Sequence, residues 1–210
     1  MRVISQHDVL MARMAAQRLT DDTRCRADPA EVPRAVLGLQ AQSMNAARLA
    51  MRVRSTGLTE SAIDDGFARE RTVVRAWLMR GTLHLVAAED VRWLLKILGS
   101  HIDRRDALRR AQVGLDDALC ERGIAALRTE LAGGPKTGRD LRARLRSRGV
   151  AIGTDVQAMI HLLAHAAHRG VICKGPPAGR TDTYVLFEDW VPRMRVPAVR
   201  SPLPSWHDAS

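Results

Sequence analysis

Two uncharged amides stand one residue apart in Gln40-Ala41-Gln42. A glutamine side chain accepts and donates hydrogen bonds but cannot take a proton at neutral pH. Any catalysis by such a pair would therefore rest on positioning and fixed dipoles. The plain alternative is that both amides satisfy backbone groups at a helix end. Downstream, the stretch RAWLMRGTLHLVAAED from Arg75 to Asp90 carries Arg80, Thr82 and His84 around an expected turn between two strands. His161, His165 and His168 are spaced so that they could chelate a metal. The face they would share offers no cysteine and no acid apart from Asp155, so a solvated polar face without metal is the reading. There is no phosphate-cradling glycine loop, no dinucleotide fingerprint and no nucleophile elbow, and no cofactor is implied.

The charge balance points to a polyanion. The 210-residue chain has a formal net charge of +10. Lys96, Lys136 and Lys174 are its only lysines, so the excess is arginine. Arginine presents a planar fork of donors that matches phosphates and guanine edges. This favours nucleic acid, although a high-GC genome, which inflates arginine and alanine codons, would produce the same bias. Cys25, Cys120 and Cys173 are scattered and fit no disulfide framework. MRVISQHDVL lacks the apolar core of a signal peptide, and no apolar run is long enough to cross a bilayer. The expected location is the cytoplasm, with the nucleoid.

The elements that must carry these residues are mostly helical. Ser5 can cap a helix to about Leu19, with Val9, Leu10, Met14 and Leu19 on its apolar side. Asp28-Pro29-Ala30-Glu31 reads as a cap, a first-turn proline and a closing carboxylate for a second helix running into Gln40. Further helices are expected from about Asn45 to Arg54 and, capped by Thr59, to about Arg69. The period then shortens to strand spacing around Arg80-Gly81, and Ala88-Glu89-Asp90 opens another helix.

The outline repeats after residue 112. A helix from about Leu115 to Leu131 ends at Gly133-Gly134-Pro135. Thr137 with Asp140 caps the next, and Thr154 with Gln157 caps a third to about Arg169. Strands follow at Val171 to Lys174 and Tyr184 to Phe187, with Gly175 to Arg180 as a wing. Leu141 and Leu145 should face inward, while Arg139, Arg142 and Arg146 share another face. Val156, Met159, Ile160 and Leu163 should form a core stripe, leaving Gln157, His161, His165 and His168 on the side that faces DNA in a helix-turn-helix. Arg180 could reach a phosphate. The expected fold is mainly α with small β wings, as tandem winged helix-turn-helix units over residues 1–112 and 113–190. Residues 191–210 form a proline-rich tail.

VLGLQAQSMNAA, from Val36 to Ala47, together with RAWLMRGTLHLVAAEDVRWLL resembles the AlkZ/YcaQ family of winged-helix DNA glycosylases. The two segments match in order and separation, and the resemblance extends to about Trp190. It implies hydrolysis of the N-glycosidic bond of alkylated purines or crosslinks in duplex DNA, with Gln40 and Gln42 as the catalytic pair. Arg80, Thr82 and His84 would lie at or near the DNA channel. Arg80 could equally pair with Glu89 or Asp90, and His84 could be a hydrogen-bonded core histidine. Family members are roughly twice as long, so a shortened chain, a second polypeptide supplying the missing C-terminal half, and an inactive remnant all stay open. A non-catalytic winged-helix regulator is the alternative function.

Overall fold

The computed structural model describes residues 4–153 and 156–193. α1 (Gln6–Ala16) starts at a reciprocal capping box between Ser5 and Asp8. Its expected apolar side is only partly covered: no α1 residue is buried, Val9 and Leu10 are exposed, and Met14 and Leu19 are half-buried. α2 (Glu31–Val36) begins later than Asp28 implies. The Asp28 carboxylate accepts from Ala30 N at 2.9 Å, and Glu31 turns back to Arg26 N at 3.2 Å, so the expected box does not close.

α2 also ends earlier than the sequence suggests. Leu37 and Gly38 both take positive φ, 60° and 115°. A Cβ on Gly38 would lie 2.9 Å from Val86 Cγ1, so only glycine lets the chain pass this close to the sheet. The chain therefore leaves the helix, and Leu39–Gln40 form strand β1. Gln40 is thus a strand residue and not a helix terminus. α3 (Met44–Arg52) and α4 (Glu60–Ala68) follow, capped by Ser43 and Thr59. β2 (Val73–Trp77) and β3 (Leu83–Ala87) form the expected hairpin, and α5 (Ala88–Arg105) continues from it.

A short α6 (Ala107–Gln112), not anticipated, leads to α7 (Asp117–Leu131), β4 (Lys136–Thr137), α8 (Gly138–Ser147) and α9 (Val156–His168). β5 (Ile172–Ala178), β6 (Thr181–Leu186) and α10 (Phe187–Trp190) complete the described chain. Helix, two-residue strand, helix, helix and hairpin thus occur twice in the same order. The sheets repeat as well: β1-β3-β2 and β4-β6-β5, antiparallel throughout. The second hairpin is longer than expected. Its pairing runs past Gly175 through a bulge to Ala178↔Thr181, so the wing loop shrinks to Gly179-Arg180. Pro176 and Pro177 are tolerated because β5 is an edge strand and the bulge relieves the ladder.

Each repeat has its own apolar centre, Val32, Met51, Ile63 and Leu85 in the first and Leu127, Leu141, Leu145 and Leu162 in the second. A third cluster joins them: Val74, Ala76 and Val86 pack with Val91 and Leu94 of α5 and with Cys173, Val185 and Phe187. Every residue of β2 and β3 is buried, which explains their unalternating sequence. α5 crosses α9 at Gly99, where a Cβ would lie well under 3.0 Å from the His168 carbonyl. This crossing shifts the buried face of α9. His165 and His168 are buried, whereas Val156 and Ile160, expected in the core, are exposed. The cause is α5 and α6, which cover a face that would meet solvent in an isolated repeat. The Thr154 cap and the tail beyond residue 193 lie outside the described residues. Among those described, no helix is long and apolar enough to cross a membrane.

Candidate active site

The chain around the two glutamines is extended, and a strand sends successive side chains to opposite faces. Leu39 and Ala41 are buried, Gln40 and Gln42 exposed. The strand ends at Gln40 and the chain bends at Gln42, so both amides are exposed on either side of an alanine that locks the segment into the core. Backbone pairing continues past β1, with Ala41 N donating to Leu83 O at 2.7 Å. The Gln42 carbonyl Oε1 in turn accepts from Leu83 N at 3.0 Å. That bond fixes the direction of one amide and leaves a second lone pair on its oxygen.

Arg75 does most to hold this segment, and sequence reasoning did not single it out. From β2 it reaches across β3, 3% exposed. Its Nε donates to Ala41 O at 2.8 Å and its Nη2 to Gln42 O at 3.2 Å. Its Nη1 meets Asp182 of β6 at 2.7 Å. Asp182 also takes Lys174 Nζ at 2.9 Å, and Lys174 donates to Tyr184 Oη at 2.9 Å. Lys174 lies over the Tyr184 and Trp77 rings, which stack with centroids 6.1 Å apart. Burial alone would push the Asp182 carboxyl up. The Lys174 ammonium and the Arg75 guanidinium more than offset it and hold its pKa below the usual carboxylate value. A signal existed: an arginine between Val74 and Ala76 in a fully apolar strand must be buried, and buried charges demand partners.

His84 is paired with Gln40 in the β1–β3 register and is 5% exposed. Its Nδ1 lies 2.9 Å from Thr82 O, and since a carbonyl only accepts, Nδ1 carries the proton. Burial holds the imidazole below its ordinary pKa. The structure thus buries His84 beside Gln40, since directly paired residues of an antiparallel ladder share one face of the sheet. Thr82 closes the turn through Met79 O at 3.1 Å. Arg80 sits at the turn with φ 59°, its side chain exposed and its carbonyl bound by Arg105 Nη2 at 3.0 Å. Neither acid considered for it is its partner: Glu89 pairs with Arg34, and Asp90 accepts from Trp93 Nε1 at 2.8 Å.

In the second repeat, Leu141 and Leu145 are fully buried. Arg139 and Arg146 are exposed on α8, and Arg142 donates to Gly153 O at 3.3 Å. Gln157 is exposed and His161 half-buried on α9, and Arg180 is exposed at the hairpin tip. His165 and His168 do not share that surface. Among the described residues no set of three or more His, Cys, Asp or Glu side chains is placed to hold a metal.

The AlkZ-like DNA glycosylase family model matches residues 34–209, from α2 to the tail. The chain belongs to the AlkZ-like DNA glycosylase family. Both the glutamine segment and the Arg75–Asp90 stretch fall inside the matched region. The fold is similar to that of Streptomyces sahachiroi DNA glycosylase AlkZ, with a TM-score of 0.64 over 93% of this chain and 22% identity. This chain spans 53% of that AlkZ chain, about half its length. No curated protein matches it.

Proposed function

We propose that this AlkZ-like protein is a monofunctional DNA glycosylase that hydrolyses the N-glycosidic bond of alkylated purines or crosslinked bases in duplex DNA. Gln40 and Gln42 form its catalytic pair. The carrying observation is that both amides are exposed on a short segment whose carbonyls are held by Arg75 and whose Gln42 oxygen is held by Leu83 N. The doubled order of elements supports tandem winged-helix units over residues 1–112 and 113–190. In each, the short strand pairs with the second strand of the wing hairpin. Duplex DNA is the expected partner, held by Arg80, Arg139, Arg142, Arg146 and Arg180, with Gln157 and His161 on the recognition helix α9.

The chemistry suits amides. A purine alkylated at N7 or N3 is cationic, so it departs without a general acid. As the bond to the sugar breaks, positive charge grows on the sugar ring. The Gln42 carbonyl, aimed by Leu83 N, presents a fixed negative dipole to that charge. Gln40, two residues away and exposed, orients a water for attack. No reorganisation is needed at the moment of bond cleavage. His84 and Thr82 then act beside the site, shaping β3 and its turn.

The test is base release from duplex DNA carrying N7-methylguanine, scored as abasic sites by alkaline cleavage. Wild type should release the base, while Gln40→Ala and Gln42→Ala should bind DNA and release little. One observation favours a second reading, a non-catalytic winged-helix DNA binder: the Gln42 oxygen already has a structural partner in Leu83 N. Strong preference for one DNA sequence, with no release of methylated or bulkier adducts, would select that reading.

A further inference from the structure

Val156 and Ile160 stand one turn apart on α9, 65% and 41% exposed. The rest of that helix is packed along most of its girth, with Ala158, Met159, Leu162, Leu163 and Ala166 all buried. What meets solvent at its start is a narrow strip made of the two aliphatics and Gln157, with Ala164 half-buried one turn on. A single exposed aliphatic needs no explanation. Two in register on one strip present a contiguous apolar centre.

The flank of this strip is cationic. Arg142 of α8 donates to Gly153 O at 3.3 Å, three residues before Val156. Arg142 and Arg146 line a hollow with Gly149, Ala151 and Gly153, in the loop that feeds α9. Arg139 and Arg146 are exposed on that face of α8. On its other side Arg144 and Arg148 pair with Glu130, and the one acid of α8, Asp140, accepts from Thr137. Two aliphatics beside guanidinium groups make a poor protein interface, whose centre sheds charge and covers far more area. They suit the major groove. Thymine C5-methyls lie on its floor between two rails of phosphate, and the groove, about 12 Å wide, admits one α-helix.

We propose that Val156 and Ile160 read thymine methyl groups in the major groove, which gives the protein a preference for the bases around its target. The inference rests on the reading that α9 meets duplex DNA and adds to it the base contacts. Four residues of helix rise about 6 Å, close to two base-pair steps of about 3.4 Å. The two side chains therefore meet methyls on neighbouring steps. The arginines of α8 seat the helix on phosphates and carry no sequence information. The aliphatic pair supplies the part of the affinity that depends on sequence.

The test compares binding of the full chain to two undamaged duplexes by fluorescence anisotropy. One is alternating adenine and thymine; the other has every thymine replaced by deoxyuridine, which removes only the methyl. Wild type should bind the thymine duplex about fourfold more tightly for each methyl it covers, the transfer value of one methyl group. Val156→Ser and Ile160→Ser should each shrink that ratio and leave the salt dependence unchanged, since an apolar contact releases no counterion. Arg146→Ala should weaken both duplexes and keep the ratio. Both serine variants alter exposed side chains, so the fold holds, and circular dichroism checks it. Equal affinity of wild type for the two duplexes, or an undiminished ratio in both serine variants, overturns the proposal. So does a DNA-free wild type that sediments as a dimer and becomes a monomer in Ile160→Ser, because a second copy then covers the strip. Base release without a methyl preference sinks this inference alone; a methyl preference without base release sinks the glycosylase reading alone.

Discussion

The two repeats share one topology and use it differently at one joint. In the first, β1 is separated from α3 by Ala41-Gln42-Ser43; in the second, β4 runs straight into α8, and Thr137 is both last strand residue and helix cap. By register, Gln40 opposite His84 corresponds to Thr137 opposite Thr183. The residues added at this joint in the first repeat include Gln42 and the two carbonyls that Arg75 binds. A binding scaffold thus acquires a candidate catalytic segment through a short extension where strand becomes helix. The hairpins diverge in the same sense. The first is buried on both faces and serves as a wall, whereas the second exposes its tip at Gly179-Arg180.

Arg75 is the strongest test of this difference. Arg75→Met leaves Ala41 O and Gln42 O without their donor, while Asp182, which is 43% exposed, keeps Lys174; a buried polar group left unmet costs about 1–3 kcal/mol. Urea unfolding should show that loss, and base release should fall with it. An unshifted midpoint would mean that the extension holds its own shape. Gln42→Ala comes next. It should reduce base release by about 10²–10³-fold, the usual effect of removing one aimed dipole. Stability should drop only by about 1 kcal/mol, one hydrogen bond. Equal losses of stability and activity would place Gln42 in the scaffold alone.

The helix caps, the hairpin positions and the doubled outline were legible because they are local: Ser5, Thr59 and Thr137 cap as their sequences imply. What escaped depends on neighbours far along the chain. α2 ends early because Gly38 must pass Val86, more than forty residues away. The α9 histidines read as a DNA-facing row until α5 and α6 cover them, giving His165 the Asp103 carboxylate and burying His168. Arg75 looked like one more arginine of a basic chain, yet its partners come from residues 41, 42 and 182. The glutamine pair was visible in sequence, but its strand geometry was not.

Acid should affect both repeats. His84 in the first and His168 in the second are held by burial below the ordinary value of 6.5. The unfolded chain then binds more protons than the folded one in the interval below 6.5. Stability is therefore complete above pH 6.5 and is lost as pH falls through the two folded-state values. A urea midpoint that stays flat between pH 7 and 5 would show that both rings are protonated in place. At the joint itself, Thr137→Ala removes the cap of α8 and should cost about 1 kcal/mol. Base release measured below the unfolding transition should be unchanged, in contrast with Gln42→Ala two positions past the equivalent strand residue.

The smallest effect belongs to the exposed hairpin. Arg180 lies at its tip, and a phosphate contact there would release about one condensed counterion on duplex DNA. Arg180→Ala should flatten the dependence of log affinity on log salt by about 0.9 and weaken binding to every sequence alike. With DNA in excess, base release should be unchanged, because the contact holds the duplex without touching the sugar. An unchanged slope would show that the second hairpin, for all its reach, does not meet DNA. The arginines of α8 would then be left as the second repeat's charged contacts. Arg139→Ala and Arg146→Ala, which alter exposed side chains over a core set by Leu141 and Leu145, would carry the comparison there.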